Sequence, residues 1–197
     1  MRNFSYKNTW NNTNEINNQI NLLIIGGSQG AELFDNKLKK SIISLSKKYK
    51  LNICQQTSSI NKKNLEDFYN ENNITYQLFN FEENILKFIT NANLCITRAG
   101  AATLSELTFL NIPYLAIPYP SAKDNHQFQN ALFYKKKNCC WILKQDEINE
   151  DILENNLINI IQNKDDYLSK KNSMRNFSYK NTWNNTNEKL ISVINEN

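Results

Sequence analysis

The sequence predicts an α/β protein, built as a parallel sheet with helices on both faces. Two observations predict it. Short apolar runs alternate with amphipathic stretches at helical spacing, the pattern of strands buried on both faces beneath crossover helices. Glycine-containing and polar turns fall directly after those runs, at the C-terminal strand ends where ligands gather in such sheets. The 197 residues suffice for one ordinary domain with a real hydrophobic core.

The elements follow in order. Residues 21–25 (NLLII) read as a strand, and GGSQGA directly after it leads into a long helix over 29–48. A strand over 51–55, a helix over 61–71, a strand over 75–78 and a helix over 83–90 come next. Residues 94–97 form the fourth strand, which runs through Arg98-Ala99-Gly100 into a helix over 103–110. The fifth strand, 114–117, is fenced by Pro113 and Pro118, which cannot extend a central ladder. A helix over 125–137, a strand over 141–143, a helix over 149–163 and a last helix after Asp165 complete the chain. The crossovers should be right-handed.

The termini carry a duplication. Residues 1–15, MRNFSYKNTWNNTNE, recur without change as residues 174–188. The second copy runs on into Leu190-Ile191-Ser192-Val193-Ile194, apolar at helical spacing, and reads as a native terminal helix. The first runs into polar Asn17-Asn18-Gln19 and reads as a transplanted duplicate. Two copies at opposite ends cannot stack as a solenoid. The expected organisation is a loosely ordered segment over 1–20 and a single domain over 21–197.

Composition narrows the class. The net charge of +4 comes from scattered lysine pairs and the run Lys135-Lys136-Lys137. These read as solvated helix faces or as a basic edge facing a membrane or a pyrophosphate. No basic stripe interleaved with aromatics argues for nucleic acid. Cys54, Cys95, Cys139 and Cys140 form no CxxC, and with one histidine in the chain no metal site is expected. Free thiols suggest a reducing, cytoplasmic compartment. No apolar run approaches the ~20 residues of a membrane span, and the start lacks the apolar core of a signal peptide.

Three motifs carry chemistry. Gly26-Gly27-Ser28-Gln29-Gly30-Ala31 permits a tight turn and close ligand approach. It lacks the Lys-Ser/Thr ending of a Walker loop, and the second strand ends in Gln55-Gln56 rather than the acid of a dinucleotide fingerprint. A purely structural turn is the other reading. The second motif, Arg98-Ala99-Gly100-Ala101-Ala102-Thr103 with Glu106, places small residues at a helix start, where free N–H groups favour phosphate. Glu106 can accept hydrogen bonds from sugar hydroxyls. The plainer reading pairs Arg98 with a carboxylate and makes Glu106 an ordinary first-turn acid. The third is Asp124, His126, Gln127 and Asn130. Amides suit sugar hydroxyls because they donate and accept together, whereas the plainer reading has Asp124 capping a helix and His126 facing solvent. Together the motifs suggest a nucleotide-sugar site.

GGSQGA, TRAGAATLSE, and IPYP followed by DNHQFQNA, in that order and at compatible spacing, resemble the C-terminal half of the MurG family from about Asn21 onward. These are bacterial transferases that move N-acetylglucosamine from UDP-GlcNAc to lipid I, forming lipid II in peptidoglycan synthesis. The resemblance implies a GT-B architecture, in which the second of two Rossmann-like domains holds most of the donor. It implies Ser28 and Gln29 among the donor-binding residues, with Ser28 near the pyrophosphate or sugar. Ala101, Ala102 and Thr103 would face the phosphates, Glu106 the ribose hydroxyls, and His126 with Gln127 the GlcNAc hydroxyls. The Phe81-Glu82 loop matches the segment whose backbone reads the uracil edge. Two positions depart from the family pattern. Its frequent Asn after GGSQGA is shifted to Asp35-Asn36, and its usual Gly before the proline-flanked strand is Asn111.

The resemblance also implies what else the reaction needs. The family's N-terminal domain carries the lipid I and membrane surface and the proposed general base, so His126 is not assigned that role. This chain is then expected to be inactive without such a domain, and to sit in the cytoplasm or peripherally on the inner membrane face. A UDP-sugar transferase with a glycolipid acceptor and a non-catalytic nucleotide-binding fragment are the alternatives. No cofactor is implied.

Overall fold

A computed structural model describes Ile16 and residues 19–180. The first copy of the repeat, and the second beyond Lys180, lie outside the described residues. The strands are β1 (Gln19–Ile25), β2 (Lys50–Gln56), β3 (Thr75–Phe79), β4 (Leu94–Thr97), β5 (Tyr114–Ala116) and β6 (Cys140–Ile142). All pair in parallel, in the order β3-β2-β1-β4-β5-β6. The helices are α1 (Gly27–Lys37), α2 (Lys39–Ser46), α3 (Lys62–Glu71), α4 (Leu86–Ile89), α5 (Ala101–Phe109), α6 (His126–Lys136), α7 (Glu150–Gln162) and α8 (Lys164–Lys180).

Alternation along β1 assigns the two faces. Ile20, Leu22 and Ile24 pack with Phe34, Ile42, Leu65 and Leu157, under α1, α2, α3 and α7. Leu23 and Ile25 point the other way, into a cluster with Phe88, Leu104, Leu107, Ala131 and Met174 under α4, α5, α6 and α8. Each fully buried Leu or Ile contributes roughly 1.5–3 kcal/mol, so the two clusters hold the sheet from both sides. Among the described residues no helix is long and apolar enough to cross a membrane.

The helix read over 29–48 is two helices meeting at Leu38. No Pro or Gly marks the junction. Leu38 is wholly buried between Phe34 and Ile42, and the Ile42 N–H still reaches the Leu38 carbonyl at 2.9 Å, so core packing bends the helix without breaking the ladder. The helix read over 83–90 is shorter, because the Glu82 carboxylate accepts the Asn84 N–H at 2.9 Å and holds a turn there.

Helix ends show how a chain with four glycines makes its stops. After α3, α5 and α6 the chain takes a left-handed residue, Asn73 (φ 54°), Asn111 (φ 63°) and Asn138 (φ 57°). The next N–H returns five residues in each case, Ile74 to Tyr69, Ile112 to Leu107 and Cys139 to Tyr134, at 2.9–3.0 Å. This is the Schellman stop, with Asn tolerating the left-handed conformation that Gly usually takes.

α8 guards the edge strand β6. Trp141 donates its indole N–H to Asp166 at 2.7 Å, and Lys170 lies 4.8 Å over the Trp141 ring while pairing with Asp166 at 3.1 Å. Such cover blocks edge-to-edge pairing with another chain.

Candidate functional site

The strand order creates a crevice. The chain proceeds outward from β1 through β2 to β3, then returns to β4 on the other side of β1. Loops leaving β1 and β4 therefore diverge, and ligands bind at such a switch point. Every glycine of the chain, Gly26, Gly27, Gly30 and Gly100, lies in one of the two segments that follow these strands.

After β1, Gly27 has φ +63°, and a Cβ built there would meet nothing within 4 Å. The backbone needs glycine, and the space above it is open. The Gly27 N–H donates to Gln56 at 2.8 Å, and the Gln56 amide donates to the Asn80 carbonyl at 3.1 Å. The loops after β1, β2 and β3 are thus tied together. Ser28 and Gln29 fall in the first turn of α1, but their side chains lie outside the described residues. Asp35, one of the departures from the resembled pattern, is buried and accepts from Gln55, Thr57 and Asn61 at 2.7–2.9 Å. It ties α1 to β2.

After β4, Gly100 is the N-cap of α5, extended at φ −67° and ψ 135°, with no side chain to cap the helix and no acid in the first turn. α5 therefore starts at Ala101, two residues earlier than the sequence suggests. The first N–H groups of a helix have no intrahelical partner and carry partial positive charge. Here they belong to Ala101, Ala102 and Thr103, of which the alanines are exposed. Glu106 stands one turn on, half-buried, and burial raises its carboxyl above the ordinary 4.5.

Arg98 lies beneath this turn and meets no carboxylate among the described residues. Its guanidinium donates to the carbonyls of Ile117 and Pro118 (3.2 and 3.4 Å) and to the Gln145 side chain (2.7 Å). The Phe34 and Tyr119 rings lie 5.4 and 5.3 Å from it. Burial depresses its pKa. A cation with only neutral acceptors leaves the crevice positive.

The start of α6 completes the arrangement. Asp124 and Asn125 are consecutive left-handed residues, φ 52° and 53°, and non-glycine residues held there cluster at ligand clamps. Asp124 does not cap the helix; the N-cap is Asn125, and its side chain makes no capping bond. His126 is exposed, with Nδ1 2.7 Å from the Lys123 carbonyl. A carbonyl only accepts, so Nδ1 carries the proton and Nε2 is the acceptor in the neutral ring. Gln127 accepts from the Ala99 and Tyr119 N–H groups at 3.1 and 3.0 Å, while Asn130 donates to the Ala99 carbonyl at 3.1 Å. α6 thus clamps the turn that opens α5. A cleft of about 370 Å³ runs beside it, between Pro118, Pro120, Asn125, Phe128 and Lys144.

On the β3 side, Phe81 is 80% exposed. The Glu82 carboxylate bonds Lys87 and the Asn84 N–H, which lower its pKa, so this side chain is committed to its own turn. The structure brings Ala101, Ala102, Thr103, Glu106 and Gln127 to one turn, with His126 beside Gln127, and places Phe81-Glu82 after β3. The sequence reading paired Arg98 with a carboxylate, offered Asn130 to sugar hydroxyls and cited Gln56 only for the absence of an acid, whereas the structure sets them on Gln145, the Ala99 carbonyl and the Gly27 N–H. Each acts through a contact at long sequence separation that no local spacing encodes.

The uncapped N–H groups that open α5 and the open glycine turn after β1 both lie at the switch point of the parallel sheet, and they mark the candidate site of a Rossmann-like α/β domain. The chain belongs to the glycosyltransferase family 28 C-terminal domain family, which it matches over residues 21–185. It is 56% identical over 196 residues to the UDP-N-acetylglucosamine–N-acetylmuramyl-(pentapeptide) pyrophosphoryl-undecaprenol N-acetylglucosamine transferase of Pelagibacter ubique (strain HTCC1062), covering 100% of this chain and 54% of that protein. It is 38% identical to the transferase of the same name from Rickettsia bellii (strain RML369-C), over 76% of this chain and 43% of that one. The crystal structure of Acinetobacter baumannii MurG superposes with a TM-score of 0.74 at 27% identity, covering 87% of this chain and 49% of the other. The fold is thus the Rossmann-like C-terminal half of a GT-B glycosyltransferase, and the chain spans about half the length of the curated relatives it matches.

Proposed function

We propose that this chain is the donor-binding half of an inverting N-acetylglucosaminyltransferase, holding UDP-GlcNAc for transfer to lipid I in the formation of lipid II. The observation that carries the reading is the uncapped start of α5 at the β1/β4 crevice, with Glu106 one turn along. The N–H groups of Ala101, Ala102 and Thr103, with the Thr103 hydroxyl, receive the diphosphate. Arg98 adds positive potential from below. Glu106 accepts from the ribose hydroxyls. Ser28 and Gln29 approach the diphosphate and sugar from the Gly27 side. His126 offers Nε2 to a GlcNAc hydroxyl, and Gln127, whose oxygen is held by backbone N–H groups, offers its NH2. The Phe81-Glu82 backbone meets the uracil.

These groups stabilise the charge that develops on departing UDP, which is where preorganised donors accelerate transfer most. The acceptor hydroxyl must lie opposite the leaving group with a base in reach. In this reading the base, the lipid I surface and peripheral contact with the membrane belong to the half of the relatives that this chain does not span. Calorimetric titration with UDP-GlcNAc and UDP-Gal tests the proposal. Saturable binding with preference for UDP-GlcNAc is expected. Binding of neither ligand would sink it, and preference for UDP-Gal would point to a transferase with another donor.

A further inference from the structure

The turn after β6 carries a side chain whose choice the fold alone does not require. Arg98 is 7% exposed, and its guanidinium reaches from the end of β4 to the Ile117 and Pro118 carbonyls after β5 and to the Gln145 side chain after β6. The bond to Gln145, at 2.7 Å, is the shortest of these. The buried Nε has no hydrogen-bond partner among the described residues. Every acceptor the guanidinium meets is neutral. Carboxylates are close at hand, for Asp146 and Glu147 follow Gln145 in the same short 3-10 turn. Both are exposed, and Glu147 lies 3.7 Å from Lys144 instead.

A buried cation without a counter-charge costs stability. Glu has the shape of Gln, and its carboxylate accepts strongly from a guanidinium. The amide at 145 thus leaves standing a charge that the smallest change in its own side chain would cancel. Gln145 also lines the cleft beside α6, so a substitution there has room.

We propose that Gln145 is a positioning residue that sets the charge selectivity of the crevice. It holds the Arg98 guanidinium beneath the turn that opens α5 without neutralising it. The positive field then reaches a diphosphate set against the Ala101, Ala102 and Thr103 N–H groups, since a buried charge is screened far less than one in water. The inference rests on the donor reading above. It adds the residue through which the site prefers a nucleoside diphosphate to an uncharged nucleoside. If the amide only braced three strand ends, a carboxylate of the same shape would brace them equally well.

Gln145→Glu and Gln145→Met, each titrated with UDP and with uridine and melted without ligand, test this. In Gln145→Glu the new carboxylate pairs with Arg98, so the midpoint should hold or rise. UDP affinity should fall by about tenfold or more while uridine affinity stays within about twofold. Gln145→Met removes the bond without adding charge, and should retain most of the UDP affinity that Gln145→Glu loses. UDP affinity in Gln145→Glu within about threefold of the parent overturns the proposal. So does an equal loss for uridine, an equal UDP loss in Gln145→Met, or a lower midpoint in Gln145→Glu, because each makes Gln145 a brace. A parent chain that does not bind UDP sinks the donor reading and this inference with it, whereas the other outcomes overturn this inference alone.

Discussion

Replacing Glu106 with Gln or Ala tests the ribose assignment most directly. The carboxylate stands half-buried one turn into α5, and burial holds its pKa above 4.5. Two ribose hydroxyls would each donate to it. Hydrogen bonds to a charged group contribute about 1.5–3 kcal/mol, against about 0.5–1.5 for neutral pairs. Glu106→Gln keeps an acceptor of the same shape, so it should cost about 2 kcal/mol over both bonds, roughly 30-fold in affinity. Glu106→Ala removes the acceptor and should cost about 100-fold or more by the same conversion. Calorimetry with UDP-GlcNAc reads both. The sign of the pH dependence follows from the direction of the shift. Burial favours the protonated acid, whereas the donor's hydroxyls favour the carboxylate. Binding therefore lowers the pKa and releases protons, and affinity falls as pH drops through the raised value. Glu106→Gln should remove that part of the profile, and without ligand it should stabilise the fold by relieving a desolvated charge. Affinity within threefold of the parent for both variants, or an unchanged pH profile for Glu106→Gln, refutes the assignment.

Two further outcomes follow from the same geometry. Gly100→Ala should leave the melting midpoint unchanged or slightly raised, since φ is −67° and the new methyl meets only the Thr103 hydroxyl at 3.9 Å. The same methyl should weaken UDP-GlcNAc binding, while Gly27→Ala, at φ +63°, should lower the midpoint by the equivalent of about 1 kcal/mol or more. The thiols should resist alkylation at pH 8 in the native state and react freely in urea, because burial lifts Cys54 and Cys140 to about 12 and Cys139 to about 11. An acid with a raised folded pKa ionises first in the unfolded chain, so stability should fall as pH rises above the ordinary thiol value of 9.0; a denaturation series from pH 8 to 11 checks this.

All six strands were legible in the sequence, because burial on both faces writes itself as short apolar runs such as Leu22–Ile25. Helix existence was legible too, and helix bounds less so. The bend at Leu38 comes from packing against the sheet, and the short α4 comes from a carboxylate turning back on its own loop. Neither leaves a Pro or Gly signal. The two turns of the candidate site were legible as small-residue segments after strands. Their supports were not, since Gln56 reaches Gly27, Gln127 and Asn130 reach Ala99, and Arg98 reaches Gln145 across 28–47 residues. A local pattern registers neighbours a turn apart and is blind to these.

The distribution of glycine says where side chains are forbidden rather than merely awkward. This chain uses Asn for the left-handed stops after α3, α5 and α6, including Asn111, where the resembled family usually has Gly. That departure keeps the backbone conformation, which Asn also supplies, but the half-buried Asn111 leaves its Oδ1 buried without a hydrogen-bond partner among the described residues, which costs stability. If conformation alone decided, the same replacement would serve at Gly27, and almost any residue would serve at Gly100, whose dihedrals are ordinary. Glycine remains at both. Neither site is crowded by protein, since a built Cβ meets open space at one and a single hydroxyl at 3.9 Å at the other. At Gly27 the positive φ itself disfavours a side chain, whereas at Gly100 neither conformation nor packing does. In the proposed reading, a diphosphate lying against the α5 N–H groups would fill the space at Gly100 and need the backbone bare.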